Sequence, residues 1–223
     1  GSYLGEAGAA AKAANPKVFT KTPTHMALGC LWNRRIDLNI AEDIVCRVAD
    51  IDFVRANAYE DYSNLGHYIA ACSTKRMLAA NRGRGPDSLH NCPWANDPQK
   101  FPGYYLDTTP AYMSGPPVSS IMNGGRMPLY WRYNFIYYGG YDVHVEQAYS
   151  IIDTLGAWGA TAARTPGEIV VLKSRASEDW WQVRQRYNPE GNPLDQTRGF
   201  LYEKWVMEFL LSNGYPFRLH YLD

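Results

Sequence analysis

The chain has no surplus of either charge: 22 Lys and Arg stand against 22 Asp and Glu in 223 residues. Without a basic excess there is no electrostatic footprint for duplex nucleic acid or an anionic membrane surface, so nucleic acid is not an expected partner. Long apolar runs are missing as well. The longest fall far short of the roughly 20 residues a bilayer-spanning helix needs, so no membrane partner is expected. The opening Gly1-Ser2-Tyr3-Leu4-Gly5-Glu6 lacks the basic-then-apolar pattern of a secretion signal, and the compartment stays open. Cysteine is sparse: Cys30, Cys46, Cys72 and Cys92 form no Cys-x-x-Cys pair and have no His at ligand spacing, so no zinc site is expected. Cys46 and Cys72 fall on apolar helix faces and read as small buried hydrophobes. Gly124-Gly125 and Gly139-Gly140 have neither the Gly-x-Gly-x-x-Gly spacing nor a following Lys-Ser/Thr, which leaves nucleotide binding unsupported and no cofactor expected.

What the chain does have is aromatic surface and core-forming material. Hydrophobic residues make up 46% of it, enough for a sizeable core. The 17 Tyr and 7 Trp offer flat apolar rings with polar edges, which suit stacking on sugars as well as packing.

Helical and extended patterns alternate along the sequence. Residues 3–14 are Ala-rich and stop at Asn15-Pro16, because proline cannot continue a helix. Residues 17–23 are β-branched and aromatic and read as a strand. Residues 40–51 carry an amphipathic helical period and lead into a second strand, Asp52 to Tyr59. Residues 64–80 read as a helix, 86–102 as an irregular proline-rich loop, 103–109 as a third strand and 127–135 as a fourth, with a short helix at 118–123 between those two strands. A longer helix is expected at 143–158. A Gly/Ala/Thr/Pro-rich stretch over 159–167 reads as a linker, followed by a strand at 168–173, an amphipathic helix at 198–213 stopped by Asn213-Gly214, and a strand at 217–221. Such alternation implies parallel strands with right-handed crossovers, an α/β fold. The domain boundaries follow as 1–160 for the first unit, 161–167 for the linker and 168–223 for a second α/β unit.

Several local patterns, in their order, resemble glycoside hydrolase family 42 and related β-galactosidase-like barrels. Asn15-Pro16-Lys17-Val18-Phe19-Thr20 resembles the family's helix end leading into barrel strand five. Asp52 to Tyr59 resembles strand six, which opens on Asp and closes on Tyr, and Tyr105-Leu106-Asp107-Thr108-Thr109-Pro110 resembles the end of strand seven. Tyr130-Trp131-Arg132 resembles strand eight, with its Trp-Arg pair. The resemblance implies strands five to eight of a (β/α) barrel followed by a flavodoxin-like or amidotransferase-like βαβ segment. It also implies a carbohydrate ligand, and another chain or an upstream segment completing the barrel. Two departures stand out. The family's nucleophile is Glu, whereas Asp107 is one methylene shorter, and a misplacement of about 1 Å can cost on the order of a hundredfold in rate. The general acid/base Glu belongs to strand four, upstream of residue 1, although a retaining glycosidase needs two carboxylates about 5 Å apart.

Active sites of such barrels lie at the carboxyl ends of the strands, which selects the candidates. Asp107 is the catalytic candidate, its plain alternative being a turn cap before Pro110. Glu60 and Asp61, just past the second strand, could partner it or bind hydroxyls, or form a solvated loop pair. Trp131 could floor a sugar subsite and Arg132 hold a carboxylate ionised, or both could pack in the core. Asn57 and Tyr59 lie on the second strand, and His25 and Trp32 follow the first. The resulting expectation is a retaining, two-carboxylate glycoside hydrolase-like protein acting on O-glycosidic bonds. Its alternatives are a non-catalytic carbohydrate-binding protein and a structural subunit of a larger assembly.

Overall fold

The computed structural model describes residues 2–25, 47, 51–58, 68–81, 88–91, 110–126, 128–131, 142–162, 169–177, 180 and 198–222. Its elements, in chain order, are α1 (Ser2–Ala14), β1 (Lys21–His25), β2 (Phe53–Ala58), α2 (Tyr68–Ala80), β3 (Ser88–Asn91), α3 (Pro110–Met122), β4 (Pro128–Trp131), α4 (Asp142–Ala162), β5 (Ile169–Ser174), α5 (Arg198–Ser212) and β6 (Phe217–Leu222). β1 to β4 form one four-stranded sheet in the order β1-β2-β3-β4, every neighbouring pair parallel. β5 and β6 form a second, two-stranded parallel sheet. The arrangement is α/β. Among the described residues no helix is long and apolar enough to cross a membrane.

Strand order fixes where the helices lie. Each step in the first sheet goes to the adjacent strand in the same direction, and right-handed crossovers then place successive helices on one face. α2 packs on β2 and α3, and α3 packs on α4, β3 and β4, which makes one helical layer. Tyr149 of α4 ties that layer to the last strand: its ring meets Tyr130 edge-on at 6.2 Å and its hydroxyl donates to the Pro128 carbonyl at 2.6 Å. Burial pushes the Tyr149 phenol above its ordinary pKa, so it stays a donor at neutral pH.

The sequence reading and the structure part company at five places. β1 begins at Lys21 rather than residue 17, because the residues before it are used locally. Asn15 accepts from the Lys17 amide through its side chain and from the Val18 amide through its carbonyl, and Thr20 is held by Asp52. A strand, β3, occupies Ser88–Asn91, inside the stretch expected to be irregular. Four residues flanked by prolines are too short to show a period. The third strand expected at 103–109 lies outside the described residues, but β3 pairs with both β2 and β4, so the seat between them is taken. The short helix at 118–123 is the end of a longer one, α3, which carries Pro116 and Pro117 past its first turn, where proline normally argues against helix. Residues 159–162, read as linker, are the last turn of α4. The helix expected at 40–51 lies outside the described residues except for Arg47 and Ile51, and Ile51 is already non-helical beside β2.

Two helices end alike. Gly124 (φ 100°) and Gly214 (φ 70°) take the left-handed conformation past α3 and α5. Around each, one amide bonds three residues back and the next five back: Gly124 to Ile121 and Gly125 to Ser120, Gly214 to Leu211 and Tyr215 to Leu210. This is the Schellman closure, and at Asn213-Gly214 it is the stop the sequence announces. Gly125 is also crowded. A Cβ there would meet Ser120 Oγ at 2.5 Å and the Ser120 carbonyl oxygen at 2.9 Å, and that hydroxyl is committed to Thr74 of α2 at 2.8 Å. Gly125→Ala is therefore expected to destabilise the chain by about 1–3 kcal/mol, read as a lowered urea midpoint with unchanged slope.

The second sheet does not stand apart. Its inner face, Phe217, Leu219 and Tyr221, joins Met207 and Leu210 of α5 and Cys72, Met77 and Ala80 of α2 in one buried cluster that also holds Ile51. Cys72 is thus the buried small hydrophobe expected, whereas Cys46 lies outside the described residues. Lys75 of α2 reinforces the junction, its Nζ donating to the Phe217 carbonyl at 3.1 Å and lying 4.9 Å from the centre of the Phe217 ring. Burial lowers the Lys75 pKa, with a smaller opposing influence from Cys72.

Candidate functional site

β3 and β4 begin three rows later than β1 and β2, but all four parallel strands end within three successive cross-strand rows. β1 ends on His25, β2 on Asn57-Ala58, β3 on His90-Asn91 and β4 on Tyr130-Trp131. Three residues chosen from sequence, His25, Asn57 and Trp131, therefore meet at one edge of one sheet. His25 is the last residue of β1 itself, not of the loop beyond it.

Register sorts these residues between the two faces. His25, Asn57, Leu89 and Leu129 form one cross-strand row; Ala58, His90 and Tyr130 form the next; Asn91 and Trp131 form the last. Successive rows belong to opposite faces. The Tyr130 row is on the helical side, since Tyr130 meets Tyr149 of α4. By register, then, His25, Asn57, Asn91 and Trp131 belong to the face away from the helices, and His90 to the face beneath them.

The remaining candidates occupy the connections. Tyr59, Glu60 and Asp61 follow β2, Trp32 follows β1, Arg132 follows β4, and Asp107 stands three residues before Pro110 in the segment joining β3 to α3. All six lie outside the described residues. Asp107 was expected to close the third strand of the sheet, but the strand in that seat ends on Asn91. His90 and Asn91 escaped the sequence reading because their strand did. The one available signal was the run Ser88-Leu89-His90-Asn91 between Pro86 and Pro93.

The strands themselves, Lys21–His25, Phe53–Ala58, Ser88–Asn91 and Pro128–Trp131, contain no Asp or Glu. Among the described residues, the carboxyl ends of the strands carry His25, Asn57, His90, Asn91 and Trp131 and no carboxylate. Among the described residues no group of His, Cys, Asp and Glu could hold a metal ion. Charge instead sits at the opposite edge. Asp52, just before β2, accepts from the Thr20 amide at 2.8 Å, the Thr20 hydroxyl at 2.9 Å and Lys12 Nζ of α1 at 2.9 Å. Burial alone would raise the Asp52 pKa, but the bonds from Thr20 and Lys12, with the Lys12 charge, outweigh it and hold the carboxyl below its usual range. The Asp that opens β2 is therefore a structural clamp at the end of the sheet remote from the candidate edge. No family model, curated protein or solved structure matches the chain.

Proposed function

We propose that this chain is a glycoside hydrolase-like protein whose carbohydrate site lies at the carboxyl edge of the β1–β4 sheet. The observation that carries the reading is the strand order, β1-β2-β3-β4 and all parallel. With the helices on one face, the other face must be covered, because parallel sheets are buried on both sides. Closure with further parallel strands, of this protein or of another chain, covers it and makes a (β/α) barrel of which these four strands are one half. In such a barrel ligands bind at the carboxyl ends of the strands. The row assignment of His25, Asn57 and Trp131 supports this placement: an indole face for the apolar side of a sugar ring, an amide and an imidazole for its hydroxyls.

Hydrolysis with retention needs one carboxylate to attack the anomeric carbon and one to protonate the leaving oxygen. Since the four strands carry none, the pair is assigned to the connections that leave the same edge, with Asp107 between β3 and α3 as nucleophile and Glu60 after β2 as its partner. The segment from β5 to β6 is a second α/β element packed on α2. A second reading, carbohydrate binding without turnover, is favoured by the same absence of carboxylates from the strands and by Asn91 at the end of the third.

Hydrolysis of a panel of nitrophenyl glycosides separates the two, with tryptophan fluorescence followed as sugars are added. Turnover by the natural chain that Asp107→Ala lowers by at least about a thousandfold supports the glycosidase, since loss of an essential catalytic group costs on that order or more. Fluorescence change with no turnover supports the binding protein, and neither signal removes the carbohydrate reading.

A further inference from the structure

We propose that the outer face of α5 is a self-association surface: a second copy of this chain docks there through the same face, in a two-fold dimer that sets Trp205 of each copy against the partner's Phe209. The inference stands apart from the carbohydrate reading and does not depend on it.

α5 is apolar on two sides. Met207 and Leu210 are buried in the cluster with Phe217, Leu219 and Tyr221 of β6, which is the side on which the helix packs. At about 100° per residue, Trp205 and Phe209 fall on the opposite side, one turn apart. They are 52% and 61% exposed, and Val206 beside them and Tyr215 just past the helix end are 47% and 50% exposed. The rings of Phe209 and Tyr215 lie 6.4 Å apart, which makes the stripe continuous. Glu208, Ser212 and Asn213 belong to its rim. The outer face of the β5–β6 sheet also exposes Val170 and Leu172, but Arg218 and His220 share their rows and interrupt the apolar surface there.

Area and charge favour a second copy as the occupant. An aromatic side chain presents roughly 150–250 Å², so the open parts of Trp205, Phe209 and Tyr215, with Val206, make about 400 Å² of contiguous apolar surface. Patches of that size on a folded protein are often functional. Two of them face to face bury about 800 Å², and the polar rim that borders any interface core carries the total into the roughly 1,200–2,000 Å² of a specific dimer. An isologous contact needs a surface complementary to itself. Two large rings one helical turn apart meet that need, since a two-fold axis across the helix brings each Trp205 onto the partner's Phe209. With 22 basic and 22 acidic residues the copies also carry no net charge to hold them apart.

Sedimentation of the full chain over a range of concentrations is the test. The natural chain is expected to run as a dimer at about 100 μM and to dissociate on dilution, the weak end of the affinities that interfaces of this size reach. Phe209→Glu is expected to weaken the dimer by at least about thirtyfold, the loss that follows removal of a central aromatic anchor. Its urea midpoint should stay near that of the natural chain, because the ring is largely open to solvent and glutamate is a good helix former. Trp205→Glu, for which the same loss is expected, covers the case in which the first variant does not fold. Leu172→Glu, on the outer face of the sheet, is the control and is expected to leave the dimer intact. A natural chain that stays monomeric at the highest concentration overturns the proposal. So does a dimer that both α5 variants retain, or one that Leu172→Glu alone dissolves.

Discussion

Asp52→Asn is expected to destabilise the chain by about 2–3 kcal/mol, the range for charge-assisted hydrogen bonds left without a proper partner. The carboxylate accepts from two sides at once. Oδ2 takes the amide and hydroxyl of Thr20, and Oδ1 takes the ammonium of Lys12. An asparagine has one acceptor oxygen and one NH2 group, so whichever way it turns, a donor faces either the Thr20 amide or the Lys12 ammonium. Turning does not rescue it. The side chains of Lys12 and Asp52 are 28% and 27% exposed, so solvent screens the Coulomb attraction and most of the loss belongs to the hydrogen bonds. The pH dependence has a definite sign. The folded-state pKa of Asp52 lies below its ordinary 3.8, so its contribution is fully present above that value and is lost as pH falls through the folded one. Urea unfolding at pH 7 and pH 3 checks both statements: the gap between the natural chain and Asp52→Asn should be wide at the first and narrowed at the second. A gap independent of pH would mean that ionisation of Asp52 is not what holds α1 and Thr20 to the start of β2.

That clamp also shows how much a sequence can say about a residue without saying what it does. Asp52 was noticed as the opening residue of a strand, but its two partners lie 32 and 40 positions away, and no local pattern reveals such a pairing. Elements that declare themselves over several turns were legible. The apolar periods of α4 and α5 and the Asn213-Gly214 stop were read to within a few residues, because a helix repeats its signal. β3 was not legible, since a strand of four residues repeats nothing and takes its place from the neighbours on either side. α3 was half hidden by Pro116 and Pro117, whose lost hydrogen bonds must be offset by packing against α2 and α4, a term outside any local propensity. The candidate edge inherits the same division. His25, Asn57 and Trp131 were chosen on or just past strands that could be read, whereas Asn91 ends the one that could not. Asp107 had been assigned to the strand seat that β3 fills.

A linker over 161–167 leaves open whether the two α/β units melt separately or together, and the packing favours together. Phe217, at 3% exposure, belongs to β6 of the second sheet, yet the buried cluster it joins contains Cys72, Met77 and Ala80 from α2, the helix that covers β2 of the first. Its carbonyl and ring both hold Lys75 of that helix. Phe217→Ala should therefore cost about 3–5 kcal/mol, the price of a buried aromatic removed from a core that can only partly collapse. The cost should also fall on both sheets. Native-state hydrogen exchange of the α2 amides is the measurement. If the units share one cooperative core, protection in α2 falls together with that in β6 and α5, by about the factor of a hundred or more to which 3 kcal/mol corresponds. If α2 keeps its protection while β6 and α5 lose theirs, the second unit is an independent domain resting on the first, and the segment after α4 acts as the linker its composition suggests.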